Sequence, residues 1–397
     1  MSTGADRSST DADRSSAALD PPPGIAARLI VRLAAWLLRS RREPLPPQAL
    51  RRVLVVRPDD RVGNVLLTIP LVRALQALLP SAQVELLLAD RRACIAEGLP
   101  GLTVVRFDKQ GLFRRPLRFL RSLARLRSYD AAIDASHWHA FSLTAALLTR
   151  WAGRRAAVGF ARAPFSGIYS VSLALPDSLL PDVLTKLALV RGLGLEPPPS
   201  VALETALGSD AAVLARRDAE LRKLGLGPGR YLALNPGGRK ADHRWDPRCF
   251  GAVAKAAREA EPRLPVLVFW GPGEEAIAAQ VIEASAGAAT LAPPTDLSLL
   301  AAFFRGAACV VTNDTGPLHL AVACGAPVVA LQRSADAARW SHPGPRFAGV
   351  AIQGAAADPR GERAIVAAVA AVRRFALTAR EAAAERAPAA SAAPEVK

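Results

Sequence analysis

The sequence contains few of the residues that build disulfide frameworks, metal sites or nucleic-acid surfaces. Four cysteines are scattered over 397 residues without Cys-x-x-Cys spacing, which argues against a disulfide-based fold and against a cysteine metal site. Aromatic residues make up 5% of the chain and no DNA- or RNA-binding motif is present, so nucleic acid is not the expected partner. The absence of a Gly-Lys-Ser/Thr run excludes the P-loop kinases.

Long apolar runs are also missing. No stretch of about 18 uncharged apolar residues occurs, so we expect no membrane-spanning helix. The N-terminus lacks the basic start, apolar middle and small-residue cleavage site of a secretory signal, which predicts a cytoplasmic protein. The formal net charge is +16, and Arg supplies most of the positive charge. This charge favours an anionic partner, such as an acidic membrane surface or a phosphorylated glycolipid.

Residues 1–24 are rich in Ser, Asp, Ala and Pro and are predicted to be disordered. Residues 25–43 have apolar residues at helical spacing, with arginines on another side, which predicts a basic amphipathic helix. Such a helix lies either on the inner face of the cytoplasmic membrane, as a peripheral contact with anionic lipid, or on the surface of the protein itself.

From Arg52 onward, short apolar runs alternate with helical stretches, which predicts an α/β fold with a parallel sheet covered by helices on both faces. The alternation stops near Pro197-Pro-Pro-Ser200 and then begins again. We therefore expect two doubly wound, Rossmann-like domains, at residues 44–205 and 206–375, facing a cleft, followed by a tail at 376–397.

One segment, Val310–Ala330, carries the strongest functional signal. It comprises an apolar strand, the polar turn Asn313-Asp-Thr-Gly316, a helix with Pro317 in its first turn, and a second strand. The free amides at the start of that helix can hold a phosphate, and the carboxylate of Asp314 can accept hydrogen bonds from sugar hydroxyls. The alternative is that Asp314 and Thr315 only cap the helix, but His319, on the same helical face as Thr315, is not needed for capping.

Three other loops follow predicted strands. The first, Arg57–Asn64, contains Asp59, Asp60 and Gly63, of which Gly63 permits a tight turn into a helix. The second, Asn235–Arg244, combines Gly237 and Gly238 with cations that can neutralise a diphosphate. The third ends at Glu274 after a Gly-Pro-Gly turn. The residues predicted to bind the donor are Asn235, Gly237, Gly238, Lys240, Arg244, Gly271, Glu274, Asp314, Thr315, Gly316 and His319.

These motifs resemble those of the ADP-heptose:lipopolysaccharide heptosyltransferases, glycosyltransferase family 9, over residues 52–375. Asp314, Thr315, Gly316 and His319 match the D-T-G-x-x-H run that faces the sugar nucleotide in that family. The resemblance implies a GT-B fold, with the acceptor on the N-terminal lobe and the nucleotide sugar on the C-terminal lobe. It implies no cofactor, and the donor loops contain no Asp-x-Asp metal clamp, so no metal is expected.

The sequence departs from the family at two places. The family has a Gly-Asp pair whose aspartate is thought to act as general base, whereas this chain has Gly63-Asn64. Because an amide cannot take up a proton at neutral pH, we expect Asp60, or else Asp59, to act as base, with Arg57 and Asn64 on the same acceptor-side loop. The alternative is that both aspartates cap the turn or pair with arginines. The family's K-x-W-P motif also differs here, so Lys240 or Arg244 replaces its lysine.

The expected activity is inverting transfer of a heptose or related sugar from a nucleoside diphosphate, ADP-heptose in the first place, to lipopolysaccharide core or a similar envelope glycolipid. Two alternatives remain open at this point. One is a GT-B transferase of another sugar for O-antigen or capsule. The other is a sugar-nucleotide-binding homologue without catalysis, which Asn64 suggests.

Overall fold

The computed structural model describes residues 46–162, 165–176, 180–227, 231–333, 337–352, 358 and 360–386, together with Leu29, Arg32, Leu33 and Trp36. The predicted disordered segment, residues 1–24, lies outside the described residues. The predicted basic helix at 25–43 is described only at those four positions, which are helical and exposed.

The N-terminal lobe is built on a six-stranded parallel sheet with the order β3-β2-β1-β4-β5-β6. Its strands are β1 (Arg52–Arg57), β2 (Gln83–Ala89), β3 (Thr103–Phe107), β4 (Ala131–Asp134), β5 (Ala156–Phe160) and β6 (Val171–Leu173). The central strands are almost continuously apolar and are buried on both faces, because helices cover both sides of the sheet.

The C-terminal lobe repeats the same architecture. Its six-stranded parallel sheet has the order β12-β11-β10-β7-β8-β9, which corresponds to that of the first sheet when its strands are counted from β7. The strands are β7 (Leu232–Asn235), β8 (Val266–Val268), β9 (Ala289–Leu291), β10 (Cys309–Asn313), β11 (Val328–Arg333) and β12 (Phe347–Ile352).

Helices connect successive strands in both lobes. In chain order the α-helices of the described residues from 46 onward are α1 (Val62–Leu66), α2 (Ile69–Leu78), α3 (Gly111–Arg114), α4 (Pro116–Arg125), α5 (Leu143–Ala152), α6 (Asp182–Leu187), α7 (Ala211–Lys223), α8 (Pro247–Ala260), α9 (Glu275–Ala284), α10 (Leu297–Arg305), α11 (Gly316–Ala323), α12 (Ala337–Trp340) and α13 (Glu362–Arg386). Among these helices none combines the length and the apolar character needed to cross a bilayer.

The predicted doubly wound α/β class is confirmed in both lobes. In each sheet the strand order reverses between two central strands, β1 and β4 in the first and β7 and β10 in the second. The carboxyl ends of strands flanking such a reversal form the usual ligand crevice of this architecture. The loops after β1, β7 and β10 are three of the four that the sequence singled out as functional.

The connection between the lobes is held by hydrogen bonds to both of them. The hydroxyl of Thr205 donates to the carbonyl of Ile95 in the first lobe, at 2.8 Å. From the second lobe, Nε of Arg305 donates to the carbonyl of Leu207 at 3.0 Å. The predicted boundary near residue 205 therefore falls in a segment that is anchored on both sides.

Two local predictions differ from the structure. The pattern of residues 65–79 in the sequence predicts one helix, but the structure has two, because Pro70 lies in the first turn of α2 and cannot continue the hydrogen bonding of α1. The strands β5, β6 and β12 were not predicted. The first is rich in Ala and the last is interrupted by Gly349, and such residues do not indicate a strand.

Candidate active site between the two lobes

The first turn of α11 forms the centre of the candidate site. Thr315 is its N-cap residue, with Pro317 in the first turn, as the sequence predicted. The side chain of Thr315 does not cap the helix, and its buried Oγ1 has no hydrogen-bond partner within the described residues. Helix capping therefore does not explain the role of the Thr315 hydroxyl group. This group can donate a hydrogen bond to a ligand or accept one from it.

The start of α11 lies directly against α1 of the N-terminal lobe. A Cβ atom added to Gly63 would lie 2.5 Å from Cδ2 of His319, closer than any real contact, and one added to Gly316 would lie 4.0 Å from the backbone nitrogen of Gly63. Gly63 lies within α1, and glycine is needed there because His319 approaches it closely. The sequence had instead suggested a tight turn at this position. The loop after β1 and the turn Asn313–Gly316 are thus brought together.

The two glycine loops of the C-terminal lobe meet around Glu274. Its Oε1 accepts the amide of Gly238 at 2.8 Å, and its Oε2 accepts the amide of Gly271 at 3.0 Å. A Cβ on Gly237 would lie 2.0 Å from Oε2, so only glycine allows this approach. The carboxylate holds the two loops together. Because it accepts the hydrogen bond of the Gly238 amide, that amide is not available to a phosphate, although Gly238 was predicted to bind the donor.

Gly238 also packs against Thr315, at the start of α11. Its φ of +157° and the 2.5 Å distance between an added Cβ and Cγ2 of Thr315 both favour glycine. Arg244 donates from Nε to the Gly238 carbonyl at 2.5 Å and is half-buried, whereas Lys240 is exposed. Of the two cations that could replace the family's lysine, the structure therefore fixes Arg244 at the glycine turn.

Asn235 and Asn313 lie at the ends of the adjacent strands β7 and β10. Both side chains are buried. Asn313 accepts the Trp245 amide at 3.0 Å and donates to the Pro236 carbonyl at 2.7 Å, so it fixes the loop after β7. The Oδ1 atom of Asn235 has no hydrogen-bond partner within the described residues, which leaves it able to accept a bond from a ligand.

The two candidate bases on the loop after β1 have different surroundings. Asp59 accepts hydrogen bonds from the Arg57 side chain at 3.1 Å, from Asn64 Nδ2 at 2.7 Å and from the Arg61 amide at 2.8 Å. Burial alone would raise the pKa of Asp59, but these donors lower it below its usual value. Asp60 is 56% exposed and pairs with Lys109 at 3.1 Å.

Asn64 is held in a buried chain of polar side chains. Its Oδ1 lies 2.8 Å from Nε2 of His137, while Nδ1 of His137 lies 2.8 Å from Asp182. Asp182 also forms an ion pair with Lys186 one turn along α6. Because Nδ2 of Asn64 donates to Asp59, Oδ1 must accept from His137, and this fixes the amide orientation and the proton on Nε2.

The contacts of this buried series of polar side chains define the role of His137. In the sequence, His137-Trp-His139 follows the apolar run Ala131–Asp134, a position that would suit either stacking on an acceptor sugar or packing in the core. His137 is 5% exposed, its Nε2 donates to Asn64, and its unprotonated Nδ1 accepts from Nζ of Lys186 at 3.1 Å, as expected of a packed imidazole. Burial lowers the pKa of His137 to about 3, so it is neutral and inaccessible as a general base at neutral pH.

A second imidazole pair lies on the C-terminal side of the cleft. Nδ1 of His319 and Nε2 of His342 are joined by a hydrogen bond of 2.9 Å. Burial, together with the neighbouring His342, holds the pKa of His319 well below its usual value, and burial lowers the pKa of His342 to about 4. His319 can therefore donate a hydrogen bond to phosphate but does not neutralise its charge. Trp340 contacts His319 and also His137 across the cleft, with ring centroids 5.9 and 5.4 Å apart.

We expect the stability of the protein to fall as the pH drops below about 6.5, the usual histidine value. His137, His319 and His342 all have lowered pKa values when folded, so only the unfolded chain takes up their protons between pH 6.5 and about 4. Each contributes up to roughly 1.4 kcal/mol of lost stability per pH unit. Urea unfolding at pH 7 and pH 5.5 measures this, and His342→Gln should reduce the slope. The same change at the partly exposed His243 is the control; equal slopes in both variants would contradict the prediction.

The chemistry of the site rests on groups from both lobes. In the part of the chain that the structure describes, no cluster of three or more His, Cys, Asp or Glu side chains is arranged to hold a metal ion. Sequence reasoning missed Asp182, Lys186, Trp340 and His342. Asp182 and Lys186, four residues apart on a helix, look like an ordinary surface pair in the sequence, and nothing local indicates that they are buried.

Known proteins share sequence features and the fold with this chain. The sequence model of glycosyltransferase family 9 (heptosyltransferase) matches residues 117–360. A family 9 glycosyltransferase from Veillonella parvula has a TM-score of 0.67 at 16% identity, covering 84% of this chain and 99% of that one. E. coli heptosyltransferase WaaC with ADP has a TM-score of 0.59 at 21% identity, covering 83% and 99%. E. coli ADP-heptose lipopolysaccharide heptosyltransferase II has a TM-score of 0.60 at 19% identity, covering 81% and 99%.

No curated protein sequence matches the chain significantly. At these low identities the solved structures establish the fold, and the predicted GT-B architecture of two Rossmann-like domains is confirmed. The family match spans more than half of the chain. The chain therefore belongs to glycosyltransferase family 9, the heptosyltransferases, and is a glycosyltransferase of that kind.

Proposed function

We propose that the protein transfers a heptose or related sugar from an ADP-sugar to a lipopolysaccharide core or similar envelope glycolipid, with inversion at the anomeric carbon. The observation that carries this proposal is the convergence of the loops after β7, β8 and β10 at the first turn of α11, directly opposite α1. The family match and the ADP in the E. coli WaaC structure support the choice of donor.

In the proposed reaction, residues 206–375 hold the donor and residues 44–205 hold the acceptor. The acceptor oxygen attacks the anomeric carbon from the side opposite the diphosphate, Asp60 takes the hydroxyl proton, and the bond from carbon to diphosphate breaks. Thr315, Gly316 and His319 bind the phosphates through hydrogen bonds, and Arg244 offsets the charge that develops on the leaving group. Asp59, held by three donors, keeps Arg57 and Asn64 in place.

The donor assignment is tested by thermal shift with ADP-, GDP-, UDP- and CDP-linked sugars, followed by transfer assays with envelope glycolipid. Selective stabilisation by an ADP-sugar, with turnover and an inverted product, is the expected result. Selective stabilisation by another nucleotide sugar would instead identify the transferase of another sugar. The basic helix at residues 25–43 is proposed as a peripheral contact with anionic lipid at the inner face of the cytoplasmic membrane.

A binding protein without catalysis is the second candidate, because the general-base position of the family is occupied by Asn64. The hydrogen bonds of Asn64 support this candidate, since its Nδ2 donates to Asp59 and its Oδ1 accepts from His137. Stabilisation by a nucleotide sugar without turnover, with the glycolipid acceptor present, would favour it.

Asp314→Asn is expected to reduce transfer by roughly 10- to 150-fold. The change keeps the shape of the side chain but removes the charge that strengthens hydrogen bonds from the sugar hydroxyls, an effect of about 1.5–3 kcal/mol. Steady-state kinetics with the ADP-sugar measure the loss. Asp218→Asn, on α7, is the control for a general effect of the substitution. Transfer by Asp314→Asn at the unaltered rate would remove Asp314 from the donor site.

A further inference from the structure

An exposed apolar surface lies on the helix pair α3–α4 in the N-terminal lobe. Phe113, Leu117 and Leu120 are 87%, 71% and 55% exposed. A different side of α4 packs on the lobe through Phe119 and Leu123, which are partly buried against the core. The helix therefore has two apolar faces, and only one of them is used in folding. We refer to Phe113, Leu117 and Leu120 as the outer apolar face.

The surroundings of this face are strongly basic. Residues 109–129 contain seven Lys and Arg residues and no Asp or Glu. Arg118, Arg121 and Arg125 recur at helical spacing, one position beyond Leu117 and Leu120, and so form a stripe beside the outer apolar face. Arg114, Arg115, Arg118 and Arg121 are all exposed, and no carboxylate of the described residues forms an ion pair with them.

These observations select one kind of partner. A second copy of the chain would bring two basic stripes together, and the chain's own segment 25–43, with five arginines, would be repelled in the same way. An exposed apolar face beside unpaired arginines fits the headgroup region of a bilayer that contains anionic lipid. We propose that α3–α4 docks on an anionic membrane surface, with Phe113, Leu117 and Leu120 inserted among the acyl chains and the arginines on lipid phosphates.

The position of the helix pair gives this docking a consequence for the reaction. Lys109, two residues before α3, pairs with Asp60 on the acceptor-side loop. Docking therefore places the loop that carries the proposed base next to the bilayer, where a lipid-linked acceptor is presented. This consequence rests on the proposed function, whereas binding to lipid does not.

The test is co-sedimentation of the full chain with vesicles of phosphatidylcholine alone or with anionic phosphatidylglycerol added. Wild type should bind the anionic vesicles and be released by high salt. Phe113→Ser/Leu117→Ser/Leu120→Ser should bind at least about tenfold more weakly. Arg118→Gln/Arg121→Gln should lose about fivefold per arginine. The control variant Leu175→Ser/Leu180→Ser/Leu291→Ser changes three exposed leucines elsewhere, which are 44%, 43% and 45% exposed.

Unchanged vesicle binding by the triple serine variant, when it unfolds at the wild-type temperature, would overturn the proposal. Equal weakening by the control leucine variant would do so as well. Each set of substitutions is also combined with Arg28→Gln/Arg32→Gln/Arg39→Gln. This combination separates the contribution of α3–α4 to vesicle binding from that of the N-terminal segment. Binding of an ADP-sugar should stay at wild-type strength in every helix-pair variant. Failure of donor binding in wild type would contradict the proposed function alone, because vesicle binding is measured without a donor.

Discussion

Asp60→Asn is expected to lower kcat for sugar transfer by roughly 10²–10⁴-fold while leaving the fold and donor binding unchanged. General-base catalysis needs a carboxylate that is ionised and accessible to the acceptor hydroxyl. Asp60 is 56% exposed and has one ion-pair partner, Lys109, so an acceptor can reach it. Asp59 has both oxygens engaged, and its lowered pKa makes it a weaker base. Asparagine keeps the size of the side chain but removes its charge and its ability to accept the proton.

The measurement is single-turnover transfer with saturating ADP-sugar, so that binding and chemistry are separated. Asp90→Asn is a matched control, since Asp90 is 54% exposed and pairs with Arg106 at 3.2 Å, much as Asp60 pairs with Lys109. Asp59→Asn should act differently and reduce stability, because it leaves the buried Arg57 without its carboxylate. A normal rate in Asp60→Asn together with loss of turnover in Asp59→Asn would assign the proton transfer to Asp59.

The predicted fold followed from local patterns in the chain. The central strands are apolar runs such as Val53–Val56 and Cys309–Thr312, and each is followed by polar residues at a sheet end. Position relative to strand ends was therefore enough to select the loops after β1, β7, β8 and β10. The strands β5, β6 and β12 escaped detection because alanine, glycine and short length give them no local signature. These strands form because they pair with neighbouring strands, and no local pattern in the sequence reveals that pairing.

Contacts between distant residues could not be predicted in the same way. Glu274 lies 36 residues from Gly238, and the hydrogen bond between them joins the loops after β7 and β8 only after the lobe has folded. His137 lies 73 residues from Asn64 and orients its amide. In both cases the residue type is unremarkable, and its role depends on which groups the two sheets bring beside it.

The buried ion pair beneath the acceptor-side loop leads to the second large effect. Asp182→Asn is expected to destabilise the protein by about 3–5 kcal/mol, because it leaves Lys186 buried without its counter-charge. Lys186 is 1% exposed, and burial already lowers its pKa to about 8 despite the opposing charge of Asp182. Removing that charge favours the neutral amine further. The loss should therefore shrink as the pH rises from 7 to about 8, where folded wild type also gives up the lysine proton, and stay level above that because the unfolded chain titrates alike in both proteins.

Urea unfolding of wild type, Asp182→Asn, Lys186→Met and the double variant forms the test, with Glu220→Gln as the control at the partly exposed pair of Glu220 and Lys223. The control should change stability by less than about 1 kcal/mol. The double variant should recover most of the loss, because a buried pair replaced as a unit leaves no uncompensated charge. It should not recover transfer to the same degree, since Lys186 donates to Nδ1 of His137, whose Nε2 orients the Asn64 amide. Equal stability of Asp182→Asn and wild type at pH 7 would show that Lys186 does not need Asp182 to remain buried.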